Sequence, residues 1–291
     1  MARGEWAKTK RLIDAAVEIL EAENPMTVRQ CFYRLVSAAV IENCIRDYRR
    51  VSTILTKARN DHRIKFEWIV DRSRPEYGGP GYSDLQHFAE WEFQGYRRDN
   101  WQDQSAYVEI WTEKDAVTGS IEPIANEWGI TMRALRGFNS TTGAHSIAED
   151  FEDKNDEGKE IHVFYLGDFD PSGKAIETDA ARRVREYGSG SFTIRRLAIH
   201  KEDIAKFRLP PLRVKAADPR AGGFIRRYGR QAVELDALPP TELRRRLQNA
   251  IRALVDVEVW DRALRIEQAE RETTNRIHAV LTREVRKELS R

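Results

Sequence analysis

Apolar residues at Leu12, Ala15, Ala16, Ile19 and Leu20 follow the i, i+3, i+4 spacing of an amphipathic helix over residues 6–23, which Asn24-Pro25 stops. Thr27 is placed to cap a second helix over 28–40, and Val51, Ile54, Leu55 and Ala58 mark one face of a third over 48–62. The alternation in Lys65-Phe66-Glu67-Trp68-Ile69-Val70 reads as a strand. Residues 72–82 are dense in turn formers, a linker or long ordered loop. A helix over 84–97 follows, and its aromatic residues Phe88, Trp91, Phe93 and Tyr96 are expected to be packed rather than to stack on bases. From residue 105 the pattern changes to strands at 107–111, 131–135, 161–166 and 192–199 alternating with helices at 116–128, 140–153 and 174–187. That succession predicts a parallel sheet covered by helices on right-handed crossovers. Leu209-Pro210-Pro211 and Asp218-Pro219-Arg220-Ala221-Gly222-Gly223 punctuate a loop-rich region before helices at 241–255 and 259–289, the last long, charged and irregular in its heptads.

The expected class is α+β. Three helices followed by a strand or hairpin describe a winged-helix domain, which lays one helix on DNA, over residues 1–75. A linker and connecting helix take 76–104, the parallel-sheet domain 105–205, and a C-terminal loop and helical region 206–291, packed on the sheet domain or on a dimer partner.

With 291 residues, 41% of them hydrophobic, the chain can bury one large core or two ordinary ones. No apolar run approaches a membrane span, and no apolar stretch follows the first basic residues, so the expected setting is the cytoplasm with no membrane partner. Cys31 and Cys44 are too few for a disulfide framework and lack the paired spacing of a zinc site. The net charge of +2 conceals 33% charged residues, so local patches carry any nucleic-acid argument. The third helix has such a patch, with Arg49, Arg50, Lys57 and Arg59 between Arg46 and Arg63, although a solvated helix face is often this charged. Arg244, Arg245 and Arg246 read either as the lining of a DNA channel or as a solvated face.

Candidate chemistry sits at the strand ends. The run Ile161-His162-Val163-Phe164-Tyr165-Leu166 has the character of a strand buried on both faces, and Gly167-Asp168-Phe169-Asp170-Pro171-Ser172-Gly173 follows it. Asp168 and Asp170, at i and i+2, fall where open α/β sheets bind ligands. The same residues also fit a surface turn in which Asp170 caps the next helix. Glu113, in Thr112-Glu113-Lys114-Asp115, occupies the same sheet edge with Lys114 beside it, and three carboxylates there would repel one another without a cation. Glu109 and Asp115 are rival acids, the first inside the strand and the second placed to cap a helix.

Glu113-Lys114 followed by Asp168-Phe169-Asp170-Pro171-Ser172-Gly173 resembles the Toprim domain of type IA and type II topoisomerases, primases and some nucleases. Upstream, Thr27-Val28-Arg29-Gln30-Cys31-Phe32-Tyr33-Arg34 resembles the catalytic-tyrosine motif of the topoisomerase VI A subunit and the meiotic double-strand-break transesterases, with Gln30 where that family carries an acid. The order of a winged helix with that motif before a Toprim domain is peculiar to that family, and the chain looks most like its stand-alone Mini-A homologues of mobile elements.

The resemblance implies a Mg²⁺-dependent DNA-cleaving transesterase, a minimal type IIB topoisomerase where strand passage occurs. Tyr33 would be the nucleophile, with Arg29, i−4 to it, and Arg34 supporting phenolate or phosphate. Glu113, Asp168 and Asp170 would hold Mg²⁺, with Mn²⁺ as a substitute, and Glu113 would also act in catalysis. Arg34, Arg49, Arg50, Lys57, Arg59 and Lys114 would contact double-stranded DNA. The family draws its tyrosine from one protomer and its carboxylates from the other, which implies a nucleoid-associated homodimer that leaves 5′-phosphotyrosyl ends. The chain has no glycine-rich ATP loop, so any ATP-driven gating falls to a separate GHKL-type ATPase subunit. Two rivals are a Toprim-type hydrolytic nuclease with a structural Tyr33 and a non-catalytic DNA-binding protein.

Overall fold

The computed structural model describes residues 3–70, 81–135, 141–188 and 191–289. Helices α1 (Arg3–Glu23), α2 (Val28–Ser37), α3 (Ile45–Asn60) and α4 (Leu85–Gly95) come first, then β1 (Ala106–Thr112), α5 (Asp115–Trp128), β2 (Thr131–Ala134), α6 (Thr141–Asp156), β3 (Glu160–Leu166), α7 (Pro171–Tyr187) and β4 (Phe192–Ala198). There follow α8 (Lys201–Lys206), β5 (Leu212–Arg213), α9 (Ala221–Tyr228), β6 (Gln231–Ala232), α10 (Pro240–Arg252) and α11 (Val257–Leu289). Two compact units result: Met1–Arg74 with Tyr107–Ala253, and Pro75–Ala106 with Leu254–Arg291. Among the described residues no helix is long and apolar enough to cross a membrane.

In the first unit the class is α+β, built on a four-stranded parallel sheet of order β2-β1-β3-β4. Numbering runs outward in both directions from the β1/β3 boundary, so the loops leaving β1 and β3 part there and open a crevice at their carboxyl ends. Trp111 on β1, Val163 and Tyr165 on β3 and Phe192 on β4 pack against Ile147 and Phe151 of α6 and Val184 of α7. Trp111 and Phe151 lie nearly parallel, centroids 6.1 Å apart. Each such side chain contributes roughly 1.5–3 kcal/mol by leaving water, which fixes the strand ends relative to one another.

Glu109 lies inside this core, fully enclosed. Its carboxylate accepts from the Arg133 guanidinium (2.9 Å), Trp111 Nε1 (2.7 Å) and the Tyr107 hydroxyl (2.9 Å). A carboxylate so satisfied is an internal strut, which removes it as a rival for the sheet-edge chemistry. Asp115, expected as a cap, begins α5 instead, with Lys114 at the N-cap position.

The first three helices form where the periodicity places them. Leu12, Ala16 and Leu20 of α1, Cys31 and Leu35 of α2 and Val51 and Leu55 of α3 are all buried. Thr27 and Gln30 make a reciprocal capping box at the start of α2. That helix is shorter than its apolar pattern suggests, because Ala39 turns left-handed (φ 55°) just beyond it. The strand expected at 65–70 is absent: Phe66–Trp68 is a 3₁₀ turn, and only Ile69 forms a bridge, parallel to Met26. A lone alternating segment without a neighbouring ladder leaves its backbone groups unpaired, and Phe66 stays exposed. The arginine run on α10 mostly serves the interior. Arg244 donates to the carbonyls of Glu23, Asn24, Pro25 and Ser120, Arg246 to Asp203 and Leu197 O, while Arg245 pairs with Glu242.

In the second unit α4 packs on α11. Trp101 meets Trp260 edge-on at 5.4 Å, Tyr96 and Arg98 both donate to Glu270, and Gln104 exchanges two hydrogen bonds with the Asp256 backbone. Phe93 and Tyr96 make contacts here, but Phe88 and Trp91, expected to be packed, are 42% and 66% exposed. Residues 71–80, most of the expected linker, and 136–140 lie outside the described residues.

Candidate functional site

The β1/β3 crevice gathers acids from three parts of the chain. Glu113 N–H, just past β1, donates to Leu166 O at the end of β3 (3.0 Å), and Glu113 Oε2 accepts from Asp168 N–H (3.0 Å). Asp170 caps α7, accepting from Gly173 N–H (2.7 Å) with Pro171 at the first helical position. The cap reading of Asp170 and its membership of the acidic edge therefore both hold. A Cβ on Gly173 would stand 2.4 Å from Asp168 O and 2.8 Å from Glu113 Oε2, so only glycine lets α7 begin so close to the two acids.

A third strand-like segment completes the site. Phe169 and Val233 form an antiparallel bridge with hydrogen bonds of 2.8 and 3.0 Å, which lays 233–236 along the Asp168–Asp170 loop. Leu235 N–H then donates to Asp168 Oδ1 (2.7 Å), and Glu234 and Asp236 enter the crevice. Lys114 Nζ satisfies its three protons there on Asp168 Oδ1 (3.0 Å), Glu234 Oε2 (3.1 Å) and Asp236 Oδ2 (3.1 Å). Burial works against the ammonium, but Asp236, Asp168 and Glu234 outweigh it and hold Lys114 firmly charged.

Glu234 also reaches the tyrosine helix. Its Oε1 accepts from Arg29 Nη2 at 2.7 Å, and Asp236 Oδ1 accepts from Thr27 Oγ1 at 3.4 Å. A continuous path thus runs Asp168, Lys114, Glu234, Arg29 within one compact unit of one chain. Tyr33, one helical turn from Arg29, is 3% exposed and stands edge-on to Phe32. Burial first, then Glu234, pushes its phenol up to about 12, with Arg29 and Lys114 pulling the other way. Tyr33 and Arg29 line a cavity of about 500 Å³ together with Tyr48, Arg49, Cys44 and Glu234.

Five carboxyl groups here face two cations, Lys114 and Arg29. The imbalance shows in the acids: burial, followed by the charges of Asp168 and Asp170, pushes Glu113 up to about 7. Burial likewise pushes Asp168 up to about 6 against the pull of Lys114 and the Leu235 N–H. Acids raised in the folded state favour folding fully below their ordinary values near 4, and that contribution is lost as pH rises through about 6–7. In chelating buffer the stability of Asp168→Asn relative to wild type should therefore increase between about pH 4 and pH 7, by on the order of a few kcal/mol. Paired urea titrations across that range check it; a flat difference would contradict it.

Arg196, on β4 and only 4% exposed, is the hidden support of the loop. It donates to the carbonyls of Gly167 (2.8 Å), Asp168 (3.1 Å) and Gly173 (3.1 Å) and pairs with Glu177 (2.8 Å). Arg196→Met should cost about 3–5 kcal/mol, since it strands buried carbonyls and breaks a buried pair. The urea midpoint measures this, and a loss under 1 kcal/mol would show that the loop holds itself.

The DNA-contact candidates are placed unevenly. Arg49 and Lys57 are exposed on α3, whereas Arg50 Nη2 donates to Thr9 Oγ1 (3.3 Å) and Arg59 covers the Phe66 ring at 5.6 Å. Arg34 forks onto Glu23, with Nη2 2.8 Å from Oε1, and Lys114 is committed to the three carboxylates. Gln30 is fully buried and donates to Ser120 Oγ (3.1 Å), so the residue standing where the resemblance places an acid ties α2 to α5.

A separate group, Glu42, Cys44 and Asp47, brings its ligand atoms within 4.8 Å of one another at the start of α3, close enough to hold a metal ion. Among the described residues it alone meets that measure; Glu113, Asp168 and Asp170 do not converge so tightly. Its thiol suits softer metals than Mg²⁺. Cys31 is enclosed, its thiol pushed up to about 12 by burial and then Glu23.

Sequence reasoning missed Glu234, Asp236 and Arg196. The acid pair at i and i+2 in Glu234-Leu235-Asp236 repeats the spacing of Asp168 and Asp170, and was the available signal. Compared with protein-family models, curated proteins and solved structures, the chain matches none.

Proposed function

We propose that the chain is a Mg²⁺-dependent DNA-cleaving transesterase in which the Tyr33 hydroxyl attacks a phosphodiester and leaves a 5′-phosphotyrosyl end. The observation that carries the reading is the charged path from Asp168 through Lys114 and Glu234 to Arg29, which links the tyrosine helix to the acidic sheet edge. Arg29 is the group placed to support the phenolate or grip the scissile phosphate, and a phosphate arriving there competes with Glu234 for the guanidinium.

The acidic edge suits a hard cation. Among the described residues Glu113 Oε1, Asp168 Oδ2 and Asp170 Oδ2 accept no hydrogen bond, while each partner oxygen is engaged. All-oxygen donors and excess negative charge fit Mg²⁺ or Mn²⁺, held by Glu113, Asp168 and Asp170. When bound, such an ion supplies charge stabilisation for a phosphoryl group. The chain's own residues do the remainder: Lys114 favours the charged forms of Asp168 and Glu234 and pairs with Asp236, and Arg196 fixes the loop. The proposed partners are double-stranded DNA and a second copy of the chain, with a GHKL-type ATPase only where strands are passed.

The burial of Tyr33 favours one alternative, a hydrolytic nuclease in which that ring is structural. Peptide mapping separates the two. After incubation with DNA and Mg²⁺, detergent quench and nuclease trimming, transesterification leaves a nucleotide on the peptide containing Tyr33; hydrolysis leaves none.

A further inference from the structure

A second cavity, about 740 Å³, opens along the outer side of α7 and α9 and is lined by Lys174, Arg182, Arg185, Arg220, Arg227 and Tyr228. Its acids, Glu177 and Asp179, are already shared, Glu177 with Arg196 (2.8 Å) and Asp179 with Arg182 and Arg183. Lys174 has only a loose 3.6 Å approach to Glu177, and Arg227 makes no ion pair among the described residues but lies 5.3 Å from the centroid of the Tyr228 ring. Lys174 Nζ sits 5.8 Å from the same ring. Burial, then the charge of Arg196, make Lys174 easier to deprotonate against the pull of Glu177, while Arg220 forks onto Asp218 and Arg182 pairs with Asp179 and Glu186. Pro171, the neighbour of Asp170 in the chain, also lines the cavity, which places it next to the loop of the acidic centre.

The spacing selects the ligand. Lys174 and Arg185 are eleven residues apart on one helix, about 16 Å at 1.5 Å per residue. A nucleic-acid strand carries a phosphate about every 3.4 Å of axis, so the groove matches a run of several phosphates, longer than one triphosphate tail. Arginine forks suit such oxygens.

We infer that this groove binds the sugar-phosphate backbone of the DNA that leads to the acidic centre. The inference rests on the proposed cleavage of DNA, yet it is testable without cleavage. Anisotropy of a labelled duplex, titrated in EDTA at several salt concentrations, compares wild type with Arg220→Gln/Arg227→Gln and with Arg245→Gln, an exposed arginine outside the groove. The double variant should bind several-fold more weakly, with its salt slope shallower by about 1.8 for two lost phosphate contacts, while Arg245→Gln binds as wild type does. Equal affinity and slope in a double variant with an unchanged melting temperature would overturn the groove. So would wild-type binding of inorganic tripolyphosphate without binding of duplex. Covalent capture in Mg²⁺, measured alongside at saturating DNA, reports on the cleavage reading separately: a groove variant that binds normally leaves that reading standing, and failure of capture with normal groove behaviour sinks only the cleavage reading.

Discussion

Asp168→Asn should give a folded protein that no longer cleaves DNA at any Mg²⁺ concentration. The amide keeps an oxygen for the Leu235 N–H and for Lys114, so both contacts that organise the crevice can persist. It removes one negative charge from a group of five acids facing two cations, and it relieves the repulsion felt by Glu113. What it takes away is an anionic oxygen donor for a hard cation. Loss of several kcal/mol of charge stabilisation at a phosphoryl group corresponds to a fall of about 10³-fold or more in rate. Metal-dependent nicking of a supercoiled plasmid measures this, with thermal unfolding alongside to show that the variant is intact. Cleavage within a few-fold of wild type would remove Asp168 from the chemistry and with it the proposed metal site.

The sheet was legible because parallel, doubly buried strands announce themselves as apolar runs, as Ile161 to Leu166 does, and because the first three strands were each followed by a helix of the right period. The strand expected at 65–70 failed for a physical reason: alternation reports a half-exposed face, but a strand also needs a partner ladder, which no local pattern encodes. Phe88 and Trp91 failed similarly, since aromatic character says what a side chain gains from burial and not whether the fold provides the cover.

At the site, Glu113, Asp168 and Asp170 were visible because their position at strand ends follows from the βα pattern alone. That β1 and β3 are neighbours was not visible, since strand order is a long-range property, and it is this adjacency that brings Glu113 Oε2 onto Asp168 N–H. Glu234 and Asp236 were hidden for the same reason. They reach the crevice through a single bridge between Phe169 and Val233, across more than sixty residues of chain. Arg196 read as an ordinary polar residue of a strand; its role depends on the carbonyls of Gly167, Asp168 and Gly173 and the Glu177 carboxylate, which only the folded loop assembles.

Tyr33→Phe should abolish the covalent link between protein and DNA while leaving stability nearly unchanged, because the ring, its edge contact with Phe32 and its burial are retained. The hydroxyl is the nucleophile the account requires; burial and Glu234 raise its phenol, and Arg29, one turn away and paired with Glu234, pulls the other way. Phenylalanine offers no oxygen to attack with, so the loss should be complete and not graded. The most direct measurement is cleavage of a supercoiled plasmid with Mg²⁺, stopped with detergent and resolved with and without protease, for wild type against Tyr33→Phe. The account predicts wild-type linear or nicked DNA carrying protein on its 5′ ends, released by protease, and neither cutting nor protein linkage with Tyr33→Phe. Free ends from both proteins at equal rates would contradict it and make the chain a hydrolytic nuclease with a structural tyrosine.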